Sequence, residues 1–480
     1  MDWKLREVKT KSGKIAVQLF KIQKRKRVNF KHLGSSETEE ELQNLRQKGY
    51  AFINEFQTKI TPLFEIKDAY FKNYKYQGFN YTYAYEFLEK TLHNFNLQKI
   101  CNKLLKDLII SQILEPSSKR QNLINLENYF NIKHNLNQLY KQLSKFNPEF
   151  KKKIEFEIIQ IAKTTYKFDF SFVLYDVTTL YFESFKNDEF KLPGFSKDNK
   201  HNQPQIVIGL MVTREGFPVH YEVFKGNTFE GNTFIPTILE FKKEHNVQEI
   251  TVVADSAMLS KQNLDKLLEN KINYIISARL ANLKQEQINV IDQNIQRIDK
   301  NTWKLDNLII DYKTDRYKKD LKEMERALEK AKKFEGKQTT KNTKLKFLKN
   351  DTVIYSINEE LLSKTKKLLG LKGYITNLKL SNQKIIDYYH NLFKVEHAFR
   401  IAKSDLEIRP IYLQKENTIK NHILLCFICL AISVYLEIKN KISIKQIVRI
   451  LRSVTDARIL NIRSGEILID RNIEKTNLLH

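Results

Sequence analysis

Two aspartates stand in β-rich segments where a carboxylate needs a special reason. Asp176 lies inside the apolar run FDFSFVLYDVTTLYF, and a charge within a central strand is costly unless a cation or hydrogen-bond donors compensate it. Bonding to a turn or a helix cap is the alternative, but no turn residues stand near Asp176. Asp255 ends the run EITVVAD, just before the chain should turn into a helix. It therefore either serves a ligand at the carboxyl end of a parallel strand or caps that helix.

Glu396 is the third acid, and it lies on a long helix predicted from Lys384 to Asp405. At helical spacing it shares one stripe with mostly apolar residues, so we expect it to face the core. A core-facing glutamate is almost never left unpaired. Pairing with Lys403 or Arg400 is one explanation, although Lys403 is seven residues away, about 10 Å along the helix axis. A bound cation is the other explanation.

The three acids together indicate a site for divalent metal ions at one end of a mixed sheet. Carboxylate oxygens are the ligands that Mg²⁺ prefers, and we expect Mn²⁺ to substitute for it. Two such ions can activate a water or a 3′-hydroxyl and stabilise the leaving oxygen during in-line attack on phosphorus. No histidine cluster, P-loop or G-x-S-x-G motif competes for a catalytic role. The residues therefore predict metal-dependent phosphoryl transfer.

The net charge favours a polyanionic partner. Lys and Arg number 82 against 56 acids, which gives a net charge of +26 and a pI near 9.5. Basic side chains that neutralise phosphates release condensed counterions, so such a balance is typical of nucleic-acid binding. A lysine-rich composition that is unrelated to function is the alternative.

The composition also excludes several classes of protein. With 41% hydrophobic residues the chain is too apolar for disorder, and three cysteines cannot form a disulfide framework in 480 residues. Cys426 and Cys429 lie in the apolar run 423–436, which is shorter than the roughly 20 residues that span a bilayer. We expect a buried helix there, no membrane contact and, because the start of the chain lacks an apolar segment, a cytoplasmic protein.

Alternating segment types after Phe168 predict a mixed α/β fold with a sheet covered by helices. Three β-rich runs come first, and the last two are joined by a turn at Arg214–Gly216. A helix near 233–245, the strand EITVVAD, a helix near 261–270 and the strand INYIISARL follow. The rest of the chain differs from this sheet region. It has a strand-rich start, helical periodicity over 84–165 and a charged stretch after 281.

These changes of texture predict six segments. They are residues 1–80 (strand and helix, with a basic cluster suited to DNA contact or to a solvated strand edge), 81–165 (helical, a DNA-binding module or an ordinary helical bundle), 166–280 (first part of the catalytic core), 281–370 (an insertion subdomain), 371–440 (second part of the core, with the glutamate helix) and 441–480 (a basic amphipathic C-terminal tail).

Around Glu396 the chain resembles the bacterial DDE transposases of the insertion-sequence-four superfamily. Their signature is Tyr, two residues, Arg, three residues, Glu, six residues and Lys. Tyr389, Glu396 and Lys403 hold these spacings, whereas Leu392 stands at the Arg position. Related subgroups place an Arg directly after the Tyr, where this chain has His390.

Other segments carry the same resemblance over roughly residues 100–440. YDVTTLYFES and VVADSAMLS are similar to the segments that carry the family's two catalytic aspartates. ILEPSSKR and the segment from Ile408 to Leu436 resemble features of the subgroup typified by insertion sequence sixteen thirty-four.

The resemblance implies an RNase H-like catalytic domain with a β-rich insertion and a mainly helical N-terminal DNA-binding region. It implies an enzyme that cuts DNA at the terminal inverted repeats of its own mobile element and joins the 3′-hydroxyls to target DNA, as a homodimer in a paired-end complex. Asp176, Asp255 and Glu396 would bind the metals.

The resemblance also implies DNA contacts. Tyr389 and Lys403 would contact phosphates near the cut, and we include Arg400 and Lys394 of the same helix as further DNA contacts. Trp303, in the insertion, would stack on an unpaired or flipped base, as an aromatic residue does in some relatives. The alternative for Trp303 is an ordinary core tryptophan.

Two other functions are compatible with the same acids. An RNase H-like nuclease would cut DNA or RNA without strand joining. A catalytically inactive DNA-binding relative would keep the fold, and Leu392 at the Arg position leaves that alternative open. Only end recognition and strand joining distinguish the three.

Overall fold

The structure is a computed structural model that describes residues 3–10, 12–23, 26–58, 73–144, 146–183, 186–195, 202–338, 345–349 and 354–471. The chain divides into two units. One comprises Met1–Tyr76 with Ile459–Ile467, and the other comprises Gln77–Arg458 with Leu468–His480.

The first unit begins with an antiparallel sheet of three strands and one helix. They are β1 (Trp3–Lys9), β2 (Ile15–Gln23), β3 (Lys26–Ser36) and α1 (Glu39–Thr58). Gly13 has a φ of 86° in the turn between β1 and β2, a conformation that glycine adopts without steric cost. Val17 and Leu19 of β2 and Leu42 of α1 are buried. The predicted strand-rich start and the helix after it are confirmed.

Six helices follow strand β4 (Tyr74–Asn80), along which the chain passes into the second unit. They are α2 (Thr82–Asn94), α3 (Leu97–Ile100), α4 (Lys103–Leu114), α5 (Lys119–Phe130), α6 (Leu136–Ser144) and α7 (Pro148–Tyr166). Asn102, Ser118 and Asn147 cap α4, α5 and α7 by accepting hydrogen bonds from first-turn amides. The buried side chains of these helices share one hydrophobic core with the sheet that follows.

The predicted order of three strands and then alternating helix and strand is confirmed. The elements are β5 (Phe172–Tyr181), β6 (Gln205–Val212), β7 (Pro218–Lys225), α8 (Glu230–Glu244), β8 (Thr251–Ala254), α9 (Lys261–Glu269) and β9 (Asn273–Ala278). β5 is antiparallel to β6 and parallel to β8, and β8 is parallel to β9. Every residue of β6 is buried, as a strand covered on both faces requires.

The predicted β-rich insertion is wrong in two respects. About half of its described residues are helical, more than are in strands, and its first two strands extend the main sheet. The elements are α10 (Gln285–Asn294), β10 (Thr302–Leu305), β11 (Leu308–Tyr312), α11 (Thr314–Lys332), β12 (Leu348–Lys349), β13 (Ser356–Ile357), α12 (Glu359–Leu368) and then β14 (Leu371–Thr376). Among the described residues the main sheet has eight strands in the order β10-β11-β14-β9-β8-β5-β6-β7. β11 joins it because all five of its residues are buried, which suits an inner strand.

The helix predicted from Lys384 to Asp405 is not continuous. It is divided into α13 (Asn382–His390), α14 (Phe393–Arg400) and a π-helical turn at Ile401–Asp405. After it comes α15 (Glu416–Asn440), which is long and apolar enough to cross a membrane by length and composition. However, 78% of its most apolar stretch is buried inside the protein, as in a core helix.

The C-terminal segment, predicted as a basic amphipathic tail, is folded over most of its described residues. The elements there are α16 (Ile444–Ser453), β15 (Asp456–Asn461) and β16 (Ile467–Arg471). Ile444, Ile447 and Leu451 recur at helical spacing on α16 and are buried against the main core. This amphipathic stripe drives the segment to fold, although its opposite face carries the basic residues that suggested a tail.

Candidate active site

Asp176 and Asp255 lie side by side on adjacent parallel strands. Tyr175 of β5 is paired with Ala254 of β8, and each aspartate is the next residue along its strand. Asp255 still has extended backbone angles, with φ −79° and ψ 168°. Because neighbouring strands lie about 4.8 Å apart, the sheet brings these two carboxylates together at the carboxyl end of β8.

Helices α13 and α14 cover the sheet face on which Asp176 lies. The Tyr175 hydroxyl is 2.7 Å from Thr233 Oγ1 on α8, so alternation along β5 places Asp176 on the opposite face. Phe172 shares that face with Asp176, and its ring lies 4.9 Å from the ring of Tyr388 on α13. Helix α14 packs against β5 and β6. The half-buried Asp176 therefore lies beneath the helix pair that carries Glu396.

The Asp255 side chain is not used as a helix cap. It precedes a short 3₁₀ turn at Ser256–Met258 but makes no capping hydrogen bond. Its Oδ1 atom instead accepts hydrogen bonds from Ser277 Oγ at 3.1 Å and from the Tyr389 hydroxyl at 3.3 Å. The capping alternative is therefore wrong, and this exposed carboxylate is oriented by donors from β9 and α13.

Tyr389, which was predicted to contact a phosphate, is buried and its hydroxyl bonds to Asp255. Only 5% of the residue is exposed, and its ring packs 5.0 Å from the ring of Tyr374. Burial raises the pKa of Tyr389 well above its usual value, so the phenol remains a neutral donor at physiological pH. Its hydroxyl points to Asp255, which makes it suited to positioning that carboxylate.

Lys372 is a basic residue of the site that the sequence analysis missed. Its Nζ lies 4.4 Å from the centre of the Tyr389 ring. Burial lowers the pKa of Lys372, and Arg316 adds to this, whereas the charges of Asp255 and Glu396 oppose the shift. A lysine inside the apolar strand LKGYIT gives the same kind of signal as Asp176 inside β5.

A largely buried ion pair, which no sequence motif indicates, supports Tyr374. Arg316 on α11 donates to both carboxylate oxygens of Asp311 on β11, at 3.1 and 3.2 Å. Asp311 also accepts a hydrogen bond from the Tyr374 hydroxyl at 3.2 Å. This fixed network holds the ring against which Tyr389 packs.

Glu396 is exposed, which contradicts the prediction that it faces the core. The helix is interrupted after His390, and when it resumes, Val395, Ala398 and Phe399 are the buried residues of α14. Among the described residues no hydrogen bond or ion pair involves Glu396, and Arg400 bonds instead to His397 Nδ1 at 2.7 Å. Glu396 is thus an unpaired carboxylate on the helix above Asp176, and both it and Asp255 act on Lys372 and Tyr389.

The predicted DNA-contacting lysines and arginine differ in placement. Lys403 is half-buried in the π-helical turn, where it and Thr178 line a small cavity of about 30 Å³. Thr178 shares a strand face with Asp176, so Lys403 lies near the acids. Lys394 Nζ donates to the Arg214 carbonyl at 2.6 Å, which ties α14 to the β6–β7 turn. Arg400 is exposed.

Trp303 does not join this site. It lies on the outermost strand, β10, opposite Ile310, and is partly buried against a second hydrophobic cluster around Ile291 and Leu371. The packing agrees with the core-tryptophan alternative. A contact between Trp303 and a flipped base stays a prediction.

Leu392 and His390 stand at the two positions where the family signature or its subgroups have an arginine. Leu392 is 5% exposed and belongs to the main core, so an arginine there would be buried in this arrangement. His390 is exposed, and its Nε2 lies 3.4 Å from Lys313 Nζ. The basic partner of this helix end therefore comes from Lys313, at the start of α11.

The donor set of the three acids fits Mg²⁺, because hard cations bind carboxylate oxygens. Ligand oxygens of one Mg²⁺ lie at most about 4.2 Å apart, since each Mg–O bond is about 2.1 Å. In the described part of the chain, the three acids do not form a group whose ligand atoms all lie within 4.8 Å of one another. The spacing of the three acids therefore does not suit a single Mg²⁺ ion held by all of them.

A separate group of possible metal ligands does meet the 4.8 Å distance. It comprises Glu155 on α7, His220 on β7 and Glu244 on α8, at the far edge of the sheet from β10. Lys151 Nζ already lies 3.4 Å from Glu155 Oε1 and partly balances the negative charge. This buried group is distinct from the three acids, and no sequence motif announces it.

The family comparison covers the whole of the candidate site. The sequence matches the family model of the transposase DDE domain over residues 167–432, which is more than half of the 480 residues. The chain therefore belongs to the transposase DDE domain family, and the matched region contains Asp176, Asp255 and Glu396. No curated protein sequence matches the chain.

Solved structures with some similarity to the chain are also transposases. A piggyBac transposase synaptic complex with hairpin DNA aligns at 11% identity over 77% of this chain and 70% of its own, with a TM-score of 0.35. A Mos1 transposase paired-end complex with the left transposon end aligns at 13% identity over 48% and 66%, with a TM-score of 0.17. A pre-cleavage Mos1 transpososome aligns at 10% identity over 78% of this chain and 87% of its own, with a TM-score of 0.17. All three TM-scores are below 0.5.

Proposed function

We propose that this protein is an RNase H-like DNA transposase of the insertion-sequence-four type, in a subgroup like insertion sequence sixteen thirty-four. It would cut the ends of its own element and transfer the 3′-hydroxyl ends to target DNA. The observation that carries the proposal is the pairing of Asp176 and Asp255 on adjacent parallel strands, beneath a helix with the unpaired Glu396. The central strands β5 to β9, with β5 between an antiparallel and a parallel neighbour, support the RNase H-like core.

The roles of the residues follow from their placement. Asp176, Asp255 and Glu396 would hold two Mg²⁺ ions, which supply activation of the attacking oxygen and stabilisation of the leaving one. Ser277 and Tyr389 hold one oxygen of Asp255 and leave the other free to face a ligand. Lys372, beside Asp255 and Glu396, is suited to receiving a scissile phosphate because it adds positive charge at the same place.

Assembly and location remain part of the proposal. We expect a homodimer in a complex that pairs two DNA ends, in the bacterial cytoplasm and associated with the nucleoid. The net charge of +26 supports binding to long DNA. Mass measurement of the protein with and without end DNA would test the dimer directly.

The first prediction concerns the three acids. Asp176→Asn, Asp255→Asn and Glu396→Gln should each reduce cleavage of DNA carrying the terminal inverted repeats by about 1,000-fold or more, because each removes a charge that the metals require. Cleavage with Mg²⁺ or Mn²⁺ is measured on labelled duplexes. Asp265→Asn and Glu325→Gln, which change exposed acids on α9 and α11, are the matched controls.

The same assay separates the alternatives. Full activity in the Asp176 or Glu396 variant would show that the site is assigned wrongly. Cleavage by the unmodified protein of any DNA, regardless of end sequence and without joining, would favour a plain nuclease. Specific binding to the ends with no cleavage in either metal would favour an inactive relative.

A further inference from the structure

A second cavity lies beyond the carboxyl end of β5. It has a volume of about 720 Å³ and lies between the start of α5, helix α6 and the chain that follows the π-helical turn. The side chains that matter for its chemistry are Lys119, Arg120, Tyr140, Arg409, Tyr412 and His422. Its size is within the range of small-ligand pockets.

Three distant parts of the sequence are fixed together at this cavity by buried hydrogen bonds. Gln112 on α4 is fully buried, donates to the Leu406 carbonyl at 2.8 Å and accepts from Asn122 and Lys119 on α5. His422 on α15 pairs with the Ile408 carbonyl at 3.0 Å. These bonds join α4, the start of α5 and α15 to the segment Leu406–Ile408, so the cavity wall is preorganised.

The cavity wall contains a buried lysine that lacks an acidic partner among the described residues. Lys119 is buried, and among the described residues its ammonium donates to the neutral Gln112 and forms no ion pair with a carboxylate. A buried cation without an anionic partner is costly, and here burial lowers the pKa of Lys119. Arg120, which is exposed, and Arg409 also line the cavity, and the one acid among its described lining residues is the exposed Glu407. An entering phosphate would supply the missing charge.

The cavity also offers aromatic surface to solvent. Tyr412 is 65% exposed and Tyr140 is 54% exposed, although both are large side chains that are usually better covered. Exposed aromatic rings beside cations are the elements with which proteins bind unpaired nucleotides, since every base has a face that can stack.

We propose that this cavity binds one unstacked nucleotide of the substrate DNA, with its phosphate against Lys119, Arg120 and Arg409 and its base against Tyr412. Arg409 lies 5.4 Å from the ring of Tyr181, which is five residues from Asp176 along β5. Five strand residues span about 17 Å, the length of roughly five base pairs of DNA. The nucleotide therefore lies about five positions from the cut. The identity of the DNA rests on the proposed function.

The test measures DNA binding without metal, so that no cleavage is needed. Fluorescence anisotropy of the full chain compares a flush duplex of the element's end with the same duplex carrying about five unpaired nucleotides on either strand. The unmodified protein should prefer a tailed duplex. Tyr412→Ala should weaken that preference at least about 5-fold, and Arg120→Ala should reduce the slope of log affinity against log salt by roughly one.

Matched controls are available because the changed residues are exposed. Phe156→Ala removes an aromatic ring that is 53% exposed on α7, and Arg326→Ala removes an exposed arginine on α11. Both should bind as the unmodified protein does. Thermal unfolding of all four variants checks that the fold is intact.

The outcomes separate the nucleotide site from the proposed transposase function. Equal binding of tailed and flush duplexes, or cavity variants that match their controls, would overturn the nucleotide site while end cleavage still upheld the proposed function. Competition by inorganic phosphate or a mononucleotide at the affinity of the tailed DNA would also overturn it, in favour of a small-molecule site. Loss of tailed-DNA binding in the variants, with no preference for end sequence, would keep the site and remove the transposase function.

Discussion

At the scale of single residues, the Asp255 carboxylate is held by two donors that belong to different elements. Ser277 is on β9 and Tyr389 is on α13, and both donate to the same oxygen. Hydrogen bonds of this kind orient a metal-binding carboxylate and leave its second oxygen for the metal. We therefore propose that Tyr389 acts through Asp255 as a positioning residue.

The Tyr389→Phe variant tests this role. It removes the hydroxyl but keeps the ring that packs on Tyr374, so the fold should be unchanged. We expect a 10- to 100-fold higher requirement for Mg²⁺ in end cleavage, the range found when such outer partners are removed. This requirement is measured by following the cleavage rate as the Mg²⁺ concentration is raised.

Tyr388→Phe is the matched control, because Tyr388 lies next in the chain and its ring packs on Phe172. The control should keep the metal requirement of the unmodified protein. A Tyr389→Phe variant with an unchanged Mg²⁺ titration would assign the residue to packing alone.

At the scale of elements, the break between α13 and α14 decides how the acids meet. Tyr389 and Glu396 are seven residues apart, so a continuous helix would place them on nearly the same face. The interruption at Asn391–Leu392 instead leaves Tyr389 buried beside Asp255 and Glu396 exposed above the sheet. The π-helical turn after α14 then directs Lys403 towards Thr178, and such turns are frequent at functional sites.

A second element-level contact joins α15 to the segment after the π-helical turn. Burial, together with the nearby Lys119 ammonium, lowers the pKa of His422 from 6.5 to about 3. The folded protein therefore keeps this imidazole neutral, while the unfolded chain takes up a proton below pH 6.5. The contribution of His422 to the free energy of unfolding is therefore fully present above pH 6.5 and is lost as the pH drops towards 3.

This contact gives a pH prediction. Between pH 8 and pH 5, His422 should cost the unmodified protein about 2 kcal/mol of unfolding free energy. The His422→Gln variant retains a donor for the Ile408 carbonyl but does not titrate. Its unfolding free energy should therefore fall by about 2 kcal/mol less than that of the unmodified protein between pH 8 and pH 5. Urea unfolding at both pH values measures the difference. His93→Gln, at an exposed histidine, should behave as the unmodified protein does, and an identical pH dependence in all three would contradict the shift.

At the scale of the whole molecule, the helical region before β5 and the sheet share one core. Side chains from α2, α4, α7 and α15 pack in the same hydrophobic cluster as those from β5 to β9. The helices therefore brace the carboxylate-bearing strands rather than forming a separate module. The walls of the cavity at α5 come from this helical region, from the chain after the π-helical turn and from His422 of α15.

The net charge of +26 yields a prediction for the complete protein. If the excess charge meets DNA phosphates at 6 to 10 places, affinity for end DNA should fall by about 10³- to 10⁵-fold between 50 and 200 mM salt. Anisotropy titrations across that range give the slope. A fall smaller than about tenfold would mean that the lysine-rich composition does not serve DNA binding.

The sequence by itself determined the local elements and the type of chemistry. The apolar run around Asp176 formed a buried strand, and the alternation that follows it formed the central sheet, because periodicity reports which faces are apolar. The residue types at the three acids, with the spacing around Glu396, indicated the family that the match over 167–432 shows. Their roles as metal ligands stay predictions.

Only the tertiary structure decided which side chains face one another. The exposure of Glu396, the bond from Tyr389 to Asp255 and the place of Lys372 depend on a helix break that no proline or glycine announces. The joining of β11 to the main sheet and the folding of α16 depend on partners that are distant in the sequence. Local patterns fix the apolar faces of an element, but long-range packing chooses what those faces meet, and the active-site geometry follows from that choice.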